Sequence, residues 1–173
     1  MSAAPHAVVT GGAGFLGSHL VDSLLDDGYR VTSLDNYGSG RKQNLAHIET
    51  DRFESLDHDV RDRFADFERV NEVYHMASRA SPEDFESHAV EIALTNSEGT
   101  RNAIKCALDH DATLLLASTS EVYGDPEVHP QFEDYNGNVN VSGPRAPYDE
   151  SQRSGEAFAV AYARPYDLRV RTG

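Results

Sequence analysis

The sequence predicts an α/β fold, in which a parallel sheet carries helices on both faces. Short apolar runs alternate with longer stretches of helical periodicity, which is the order that parallel strands and crossover helices produce. The run Thr113–Ser118 is apolar through its centre, as in a strand that is buried on both faces. A glycine-rich turn joins the first strand to the first helix, as in doubly wound sheets of the Rossmann type.

In the first half of the chain, glycines and polar residues separate the predicted strands and helices. Strand Ala7–Thr10 leads into helix Gly14–Leu25, whose apolar residues recur at helical spacing and which ends before Gly28. A second strand, Arg30–Asp35, follows. In chain order, the remaining predicted elements are a weaker strand Phe53–Leu56, strand Glu72–His75, helix Glu86–His110, strand Thr113–Ser118, a loop over Gly124–Pro147, helix Tyr148–Ala163 and strand Leu168–Thr172.

Length and composition predict a globular protein. Of the 173 residues, 39% are hydrophobic and 25% are charged, and the length suits a single domain over residues 1–173. No apolar run approaches the roughly 20 residues that span a bilayer, and the N-terminus lacks the pattern of a secretion signal. The single cysteine, Cys106, is expected to be a small buried apolar residue. These features predict a cytoplasmic protein.

The charge balance is strongly acidic. Asp and Glu number 29 against 15 Lys and Arg, which gives a formal net charge of −14. Such a surface repels nucleic acids and anionic membranes, so neither is expected as a partner. High ionic strength screens the self-repulsion, because the Debye length falls to about 3 Å at 1 M salt. We therefore hypothesise a halophilic protein from a salt-rich cytoplasm; an ordinary acidic protein is the alternative.

The glycine-rich turn carries the first functional signal. Gly11, Gly14 and Gly17 lie where the first strand becomes the first helix, and Asp35 closes the second strand about 20 residues later. This pattern predicts a dinucleotide site, with the pyrophosphate at the helix N-terminus and the acid on the adenosine ribose. A carboxylate there repels a 2′-phosphate, which favours NAD over NADP. The alternative is a structural glycine turn with a helix-capping aspartate.

Two further segments carry chemistry. The run Ser118–Gly124 follows the fifth strand, and ligands of open α/β sheets bind at the carboxyl ends of strands. Its hydroxyls and carboxylate could therefore meet a substrate, or they could form only local turns. Tyr148 and Gln152 lie four residues apart on one face of a late helix. The sequence shows no metal-ligand spacing.

Together these segments resemble the extended short-chain dehydrogenase/reductase family, the NAD-dependent epimerases and dehydratases. The likeness runs from about Ala7 to Val170, and Ser118–Pro130 brings it nearest to the UDP-glucuronate decarboxylases of that family. It includes LDN at 34–36, GRKQN at 40–44, HDV at 58–60 and HMAS at 75–78. The resemblance implies NAD as cofactor, a nucleotide-sugar substrate (UDP-glucuronate) and a possible homodimer.

The resemblance also implies a role for each matching residue. Thr119 would bind the reacting hydroxyl of the sugar, Tyr148 would act as its base and Glu121 would assist the proton transfer. The implied cofactor-binding residues are Gly11, Gly14, Phe15, Leu16, Gly17, Asp35, Asn36, Tyr37, Ser39, Gly40, Arg41, Asp59, Val60, Met76, Ala77, Ser78, Thr95, Tyr148 and Gln152. The implied reaction oxidises C4 of the glucuronosyl ring, releases CO₂ and reduces C4 again.

The sequence departs from the family pattern at three points. Gln152 takes the catalytic place of a lysine whose positive charge assists the tyrosine, and Arg79 stands where the family usually has proline. The resemblance also implies a smaller domain that holds the uridine nucleotide, and we expect most of that domain to be missing from these 173 residues. We therefore expect impaired activity. Two alternatives stay open: another nucleotide-sugar epimerase or dehydratase, and a non-catalytic NAD-binding module or remnant.

Overall fold

The computed structural model describes residues 4–173. Its strands are β1 (His6–Thr10), β2 (Arg30–Asp35), β3 (Phe53–Asp57), β4 (Glu72–His75), β5 (Thr113–Leu116) and β6 (Arg169–Thr172). Its α-helices are α1 (Phe15–Asp26), α2 (Ala89–Leu94), α3 (Thr100–Asp109) and α4 (Ala146–Ala163). Short 3₁₀ turns cover Lys42–Leu45, Pro82–Asp84 and Ser120–Tyr123. Within residues 4–173, no helix is long and apolar enough to cross a membrane.

The six strands form one sheet in the order β3-β2-β1-β4-β5-β6. Every neighbouring pair is parallel, and this order is that of a dinucleotide-binding sheet built from two halves. The predicted fold class is therefore confirmed. The strand order reverses between β1 and β4, where Thr10 pairs with His75. A crevice opens beyond the carboxyl ends of these two strands.

Apolar side chains pack on both faces of the sheet. Val8 of β1 belongs to a buried cluster with Leu114 of β5, whereas Val9 belongs to a second cluster with Val21 of α1. Successive residues of a strand point to opposite faces, so one strand contributes to both clusters. Cys106 lies in the first cluster, and burial raises its pKa to about 12. It is the inert buried residue that the sequence predicts.

The long helix expected over Glu86–His110 begins later and changes its winding. It starts at Ala89, and Thr95–Gly99 forms a π-helical segment between α2 and α3. The hydroxyl of Ser97 donates to the carbonyl oxygen of Ala93 at 2.6 Å. Such bonds from side chains to the backbone compete with the regular helical pattern. The prediction of one continuous α-helix was therefore wrong in this segment.

The bounds of two other elements differ by two residues from those predicted. Helix α4 begins at Ala146 rather than Tyr148, because Pro147 fits the first turn, where its missing N–H costs no hydrogen bond. Strand β5 ends at Leu116 rather than Ser118, because its neighbours β4 and β6 end at the same level. The sheet itself is unaffected by these differences.

His75, the last residue of β4, is buried and hydrogen-bonded to β1. Its Nδ1 lies 2.8 Å from the hydroxyl oxygen of Thr10, which also accepts hydrogen bonds from the amides of Met76 (3.1 Å) and Ala77 (3.2 Å). Because two amides donate to that oxygen, the hydroxyl directs its own proton at Nδ1. The imidazole is therefore neutral, with its proton on Nε2. Burial lowers the pKa of His75 to about 4.

We expect His75 to make the protein less stable in acid. Its pKa is 6.5 in the absence of these effects, so the unfolded chain takes up a proton first as the pH falls. The contribution of His75 is complete above pH 6.5, and about 3 kcal/mol of the free energy of unfolding is lost between pH 6.5 and pH 4. Urea unfolding across this range measures the loss. His75→Gln is the control, and an equally steep decrease in that variant would contradict the assignment.

Candidate active site

A cavity of about 340 Å³ opens beyond the carboxyl ends of the central strands. The turn after β1, the ends of β2 and β4, the segment after β5 and helix α4 form its walls. The predicted site residues that line it are Gly11, Gly14, Phe15, Leu16, Gly17, Asp35, Asn36, Ser39, Gly40, Val60, Met76, Ala77, Ser78, Thr95, Tyr148 and Gln152. Residues from the two ends of the chain thus share one cavity.

The glycine-rich turn has no room for side chains. Gly11 has a φ of +68°, and a Cβ there would lie 2.9 Å from the backbone of Ala77. A Cβ on Gly17 would overlap the carbonyl oxygen of Gly11. Helix α1 begins at Phe15, and no side chain of residues 4–173 caps its N-terminus. Its first amides remain available to an anion, so the turn fits the pyrophosphate of a dinucleotide.

Asp35 fits the adenosine ribose of such a ligand. Its Oδ2 accepts a hydrogen bond from the amide of Ala13 (2.9 Å), and its Oδ1 accepts one from the amide of Tyr37 (2.8 Å). Burial raises the pKa of Asp35, and these two amides partly oppose that effect. Each oxygen keeps a second lone pair, so the carboxylate can also accept hydrogen bonds from two adjacent hydroxyls. Asp35 therefore both anchors the turn and faces the cavity.

Three residues predicted to bind the cofactor lie outside the cavity wall. The ring of Tyr37 packs under the ammonium of Lys42, at 4.4 Å. Arg41 is exposed, and only its amide reaches inward, to the carbonyl oxygen of Ala13 at 3.0 Å. The carboxylate of Asp59 is bound by Arg61, which holds the pKa of Asp59 well below its usual value. Local partners thus occupy the side chains of Tyr37 and Asp59, and the side chain of Arg41 lies at the surface.

Tyr148 and Gln152 meet the cavity from α4. Tyr148 is 5% exposed, and its ring stacks on Phe85 with the two centroids 4.7 Å apart. Gln152 is buried as well, and its Nε2 donates to the hydroxyl oxygen of Ser78 at 3.5 Å. Their four-residue spacing places both side chains on the same side of the helix. The phenol therefore lies in the same cavity as the glycine turn.

The predicted catalytic residues Thr119 and Glu121 do not line this cavity. The 3₁₀ turn at Ser120–Tyr123 directs the chain away, and the hydroxyl oxygen of Thr119 accepts a hydrogen bond from the amide of Glu121 at 3.3 Å. The Glu121 carboxylate forms an ion pair with Arg145, whose Nε lies 3.7 Å from the carboxylate of Asp149. In this arrangement Glu121 is bound to Arg145 and does not reach the cavity.

Sequence reasoning did not assign a role at the site to six residues of the wall, which are Leu34, His58, Arg79, Ala80, Glu91 and Ala117. A seventh, Ser118, belongs to the polar run after β5 that the sequence had singled out. Leu34 and His58 lie inside the motif segments 34–36 and 58–60, and slightly longer segments would have included Arg79 and Ala117. Glu91 does not adjoin any assigned residue in the chain: it lies on α2, and its carboxylate forms an ion pair of 2.9 Å with Arg79 at the cavity wall. No local pattern signals that contact.

The result of a comparison with protein families agrees with this geometry. The sequence profile of the NAD dependent epimerase/dehydratase family matches residues 7–173. The chain belongs to this family. Membership of the epimerase/dehydratase family accounts for the glycine turn, for the acid that closes β2 and for the strand order, and it agrees with the fit of the cavity to NAD.

Curated members of the epimerase/dehydratase family include similar proteins. UDP-glucuronic acid decarboxylase 1 of Danio rerio is 49% identical over 165 residues, and UDP-glucuronic acid decarboxylase 1 of Arabidopsis thaliana is 47% identical. The alignments cover 95% of this chain, but 39% and 38% of those proteins. The chain therefore spans about two fifths of the length of these relatives.

Solved structures of the family share the fold. A UDP-N-acetylglucosamine 4-epimerase from Methanobrevibacter ruminantium has a TM-score of 0.85 at 27% identity, over 99% of this chain and 54% of its own. A Thermus thermophilus UDP-glucose 4-epimerase in complex with NAD has a TM-score of 0.79 at 29% identity, over 96% and 53%. A dTDP-glucose 4,6-dehydratase from Streptomyces venezuelae, also with NAD bound, has a TM-score of 0.82 at 30% identity, over 96% and 54%.

Proposed function

We propose that residues 1–173 form the NAD-binding domain of an enzyme that converts UDP-glucuronate to UDP-xylose and CO₂. The observation that carries this proposal is the cavity that the glycine turn, Asp35 and Tyr148 have in common. Identity at nearly half of the aligned positions with named decarboxylases supports this substrate over other nucleotide sugars.

The cofactor would lie across the carboxyl ends of β1 and β4. Gly11, Gly14 and the first amides of α1 would hold the pyrophosphate, and Asp35 would accept hydrogen bonds from the adenosine ribose. Ala77 and Ser78 would border the nicotinamide end. When bound, NAD supplies the acceptor and then the donor of the hydride at C4 of the sugar.

Tyr148 would act as the base. It would take the proton of the C4 hydroxyl as C4 becomes a ketone, and it would return that proton when C4 is reduced. The ketone is β to the C5 carboxylate, so the electrons of the breaking carbon–carbon bond move toward the ketone oxygen as CO₂ leaves. A proton then replaces CO₂ at C5. Glu121 would assist once its ion pair with Arg145 opens.

A calorimetric titration with NAD tests the cofactor assignment. We expect saturable binding in molar KCl, where the charge of −14 is screened. Absence of binding in a folded chain would refute the assignment. Product analysis with UDP-glucuronate then tests the reaction in the full-length protein, because only a decarboxylase releases CO₂ and a pentose, whereas an epimerase or dehydratase leaves all six sugar carbons.

A second candidate function is NAD binding without catalysis. The observation that favours it is Gln152, a neutral side chain that lines the cavity and bonds to Ser78 where the family has a lysine. Such a module would bind NAD and leave UDP-glucuronate unchanged. The effect of a lysine at position 152, treated in the Discussion, separates the two candidates.

Asp35→Asn is expected to weaken the preference for NAD over NADP about tenfold, because it removes the charge that repels a 2′-phosphate. The asparagine can accept from only one of the two amides, of Ala13 and Tyr37, so the affinity for NAD should also decrease several-fold. Titrations with both dinucleotides measure the ratio. Asp57→Asn is the matched control, since Asp57 pairs with Asp35 on the adjacent strand and is exposed. An unchanged ratio in Asp35→Asn would contradict the role.

A further inference from the structure

Arg79 is the one lysine or arginine that lines the cavity within residues 4–173. Its side chain is 16% exposed. Its Nε donates to a carboxylate oxygen of Glu91 at 2.9 Å, and its Nη1 lies 3.5 Å from a carboxylate oxygen of Asp84. Two acidic residues therefore fix the plane of the guanidinium.

The third nitrogen of this guanidinium lies between two loops of the site. Nη2 of Arg79 is only 2.7 Å from the position that a Cβ on Gly38 would take, so it lies against the loop that follows β2. Arg79 itself belongs to the loop that follows β4, two residues after Ala77, whose backbone packs against Gly11. The guanidinium thus connects the two loops that flank the glycine turn. Within residues 4–173, Nη2 has no hydrogen-bond partner at all.

We propose that Arg79 binds the pyrophosphate of the dinucleotide and supplies the full positive charge that the site otherwise lacks. This inference rests on the proposed NAD site. Two phosphates bring two negative charges into a cavity that Asp35 and Glu91 also line. The N-terminus of α1 offers only a partial positive charge, and residue 152 is a neutral glutamine. A guanidinium with a free N–H is well suited to phosphate oxygens.

The test compares three ligands that share adenosine and differ in phosphate content: NAD, ADP and adenosine. Arg79→Gln is expected to weaken binding of NAD and ADP about tenfold and to leave adenosine binding unchanged. Arg79→Lys keeps the positive charge but lacks the planar guanidinium. Its affinities for NAD and ADP should therefore lie between those of Arg79→Gln and those of the unsubstituted chain. Arg63→Gln is the matched control, since Arg63 is exposed, paired with Asp66 and outside the cavity. Calorimetry is done at the lowest KCl concentration at which all the proteins are folded.

The outcomes separate this inference from the proposed function. Failure of the unsubstituted chain to bind NAD would overturn the proposed NAD site and, with it, the proposed role of Arg79. NAD binding that is equally tight in Arg79→Gln would overturn only the role of Arg79. An equal loss for adenosine and ADP would show a merely structural role and would overturn it too. If Arg79→Gln does not fold, Arg79→Lys decides: ADP binding as tight as in the unsubstituted chain contradicts the inference.

Discussion

Gly17→Ala is expected to abolish NAD binding and to lower the free energy of unfolding by about 3 kcal/mol or more. The added Cβ would overlap the carbonyl oxygen of Gly11 and would lie 2.8 Å from the Cα of Gly12. Both neighbours are backbone atoms, so neither can rotate away as a side chain could. Relief requires α1 to move from the turn, which displaces the helix N-terminus from the pyrophosphate position. Urea unfolding and an NAD titration measure the two effects.

Gly155→Ala is the matched control for this substitution. Gly155 is also a buried glycine within a helix, but a Cβ there would first meet the hydroxyl of Thr100 at an ordinary 3.4 Å. Alanine is the better helix former, so the stability of this variant should stay within about 1 kcal/mol of that of the original chain. If Gly17→Ala were as well tolerated as Gly155→Ala, the close approach at the turn would not govern binding.

Gln152→Lys is expected to raise the turnover of UDP-glucuronate in the full-length protein about 100-fold. A unit charge about 5 Å from the reacting phenol, at an effective dielectric constant of about 20, stabilises the tyrosinate form by about 3 kcal/mol. Arg153 cannot supply this charge, because its guanidinium donates to the carbonyl oxygens of Val122 (2.5 Å) and Asn136 (3.2 Å). The rate of UDP-xylose formation measures the gain.

Gln152→Met separates charge from shape at this position. Methionine has a similar length but no charge, so turnover should not increase in this variant. Position 152 is buried, so a thermal melt of both variants must first show that they are folded. A gain of less than threefold in folded Gln152→Lys would contradict the decarboxylase proposal and would favour the non-catalytic NAD-binding module.

Local sequence was sufficient for the elements of the sheet and for the dinucleotide motif. One strand–turn–helix unit contains Gly11, Gly14 and Gly17, and its backbone geometry alone limits the residue type at these positions. Asp35 follows from the same unit because β2 pairs directly with β1. The sequence also identified Tyr148 and Gln152 as neighbours, since i and i+4 residues of a helix always share a face.

The tertiary structure alone decided which charged groups meet. The ion pairs of Arg79 with Glu91 and of Glu121 with Arg145 join residues from separate elements, and no periodicity encodes them. Backbone conformation is set by neighbours in the chain, whereas the position of a long charged side chain depends on partners that only the folded sheet brings near. That is why the sequence determined the binding turn, and only the fold showed where the positive charge lies.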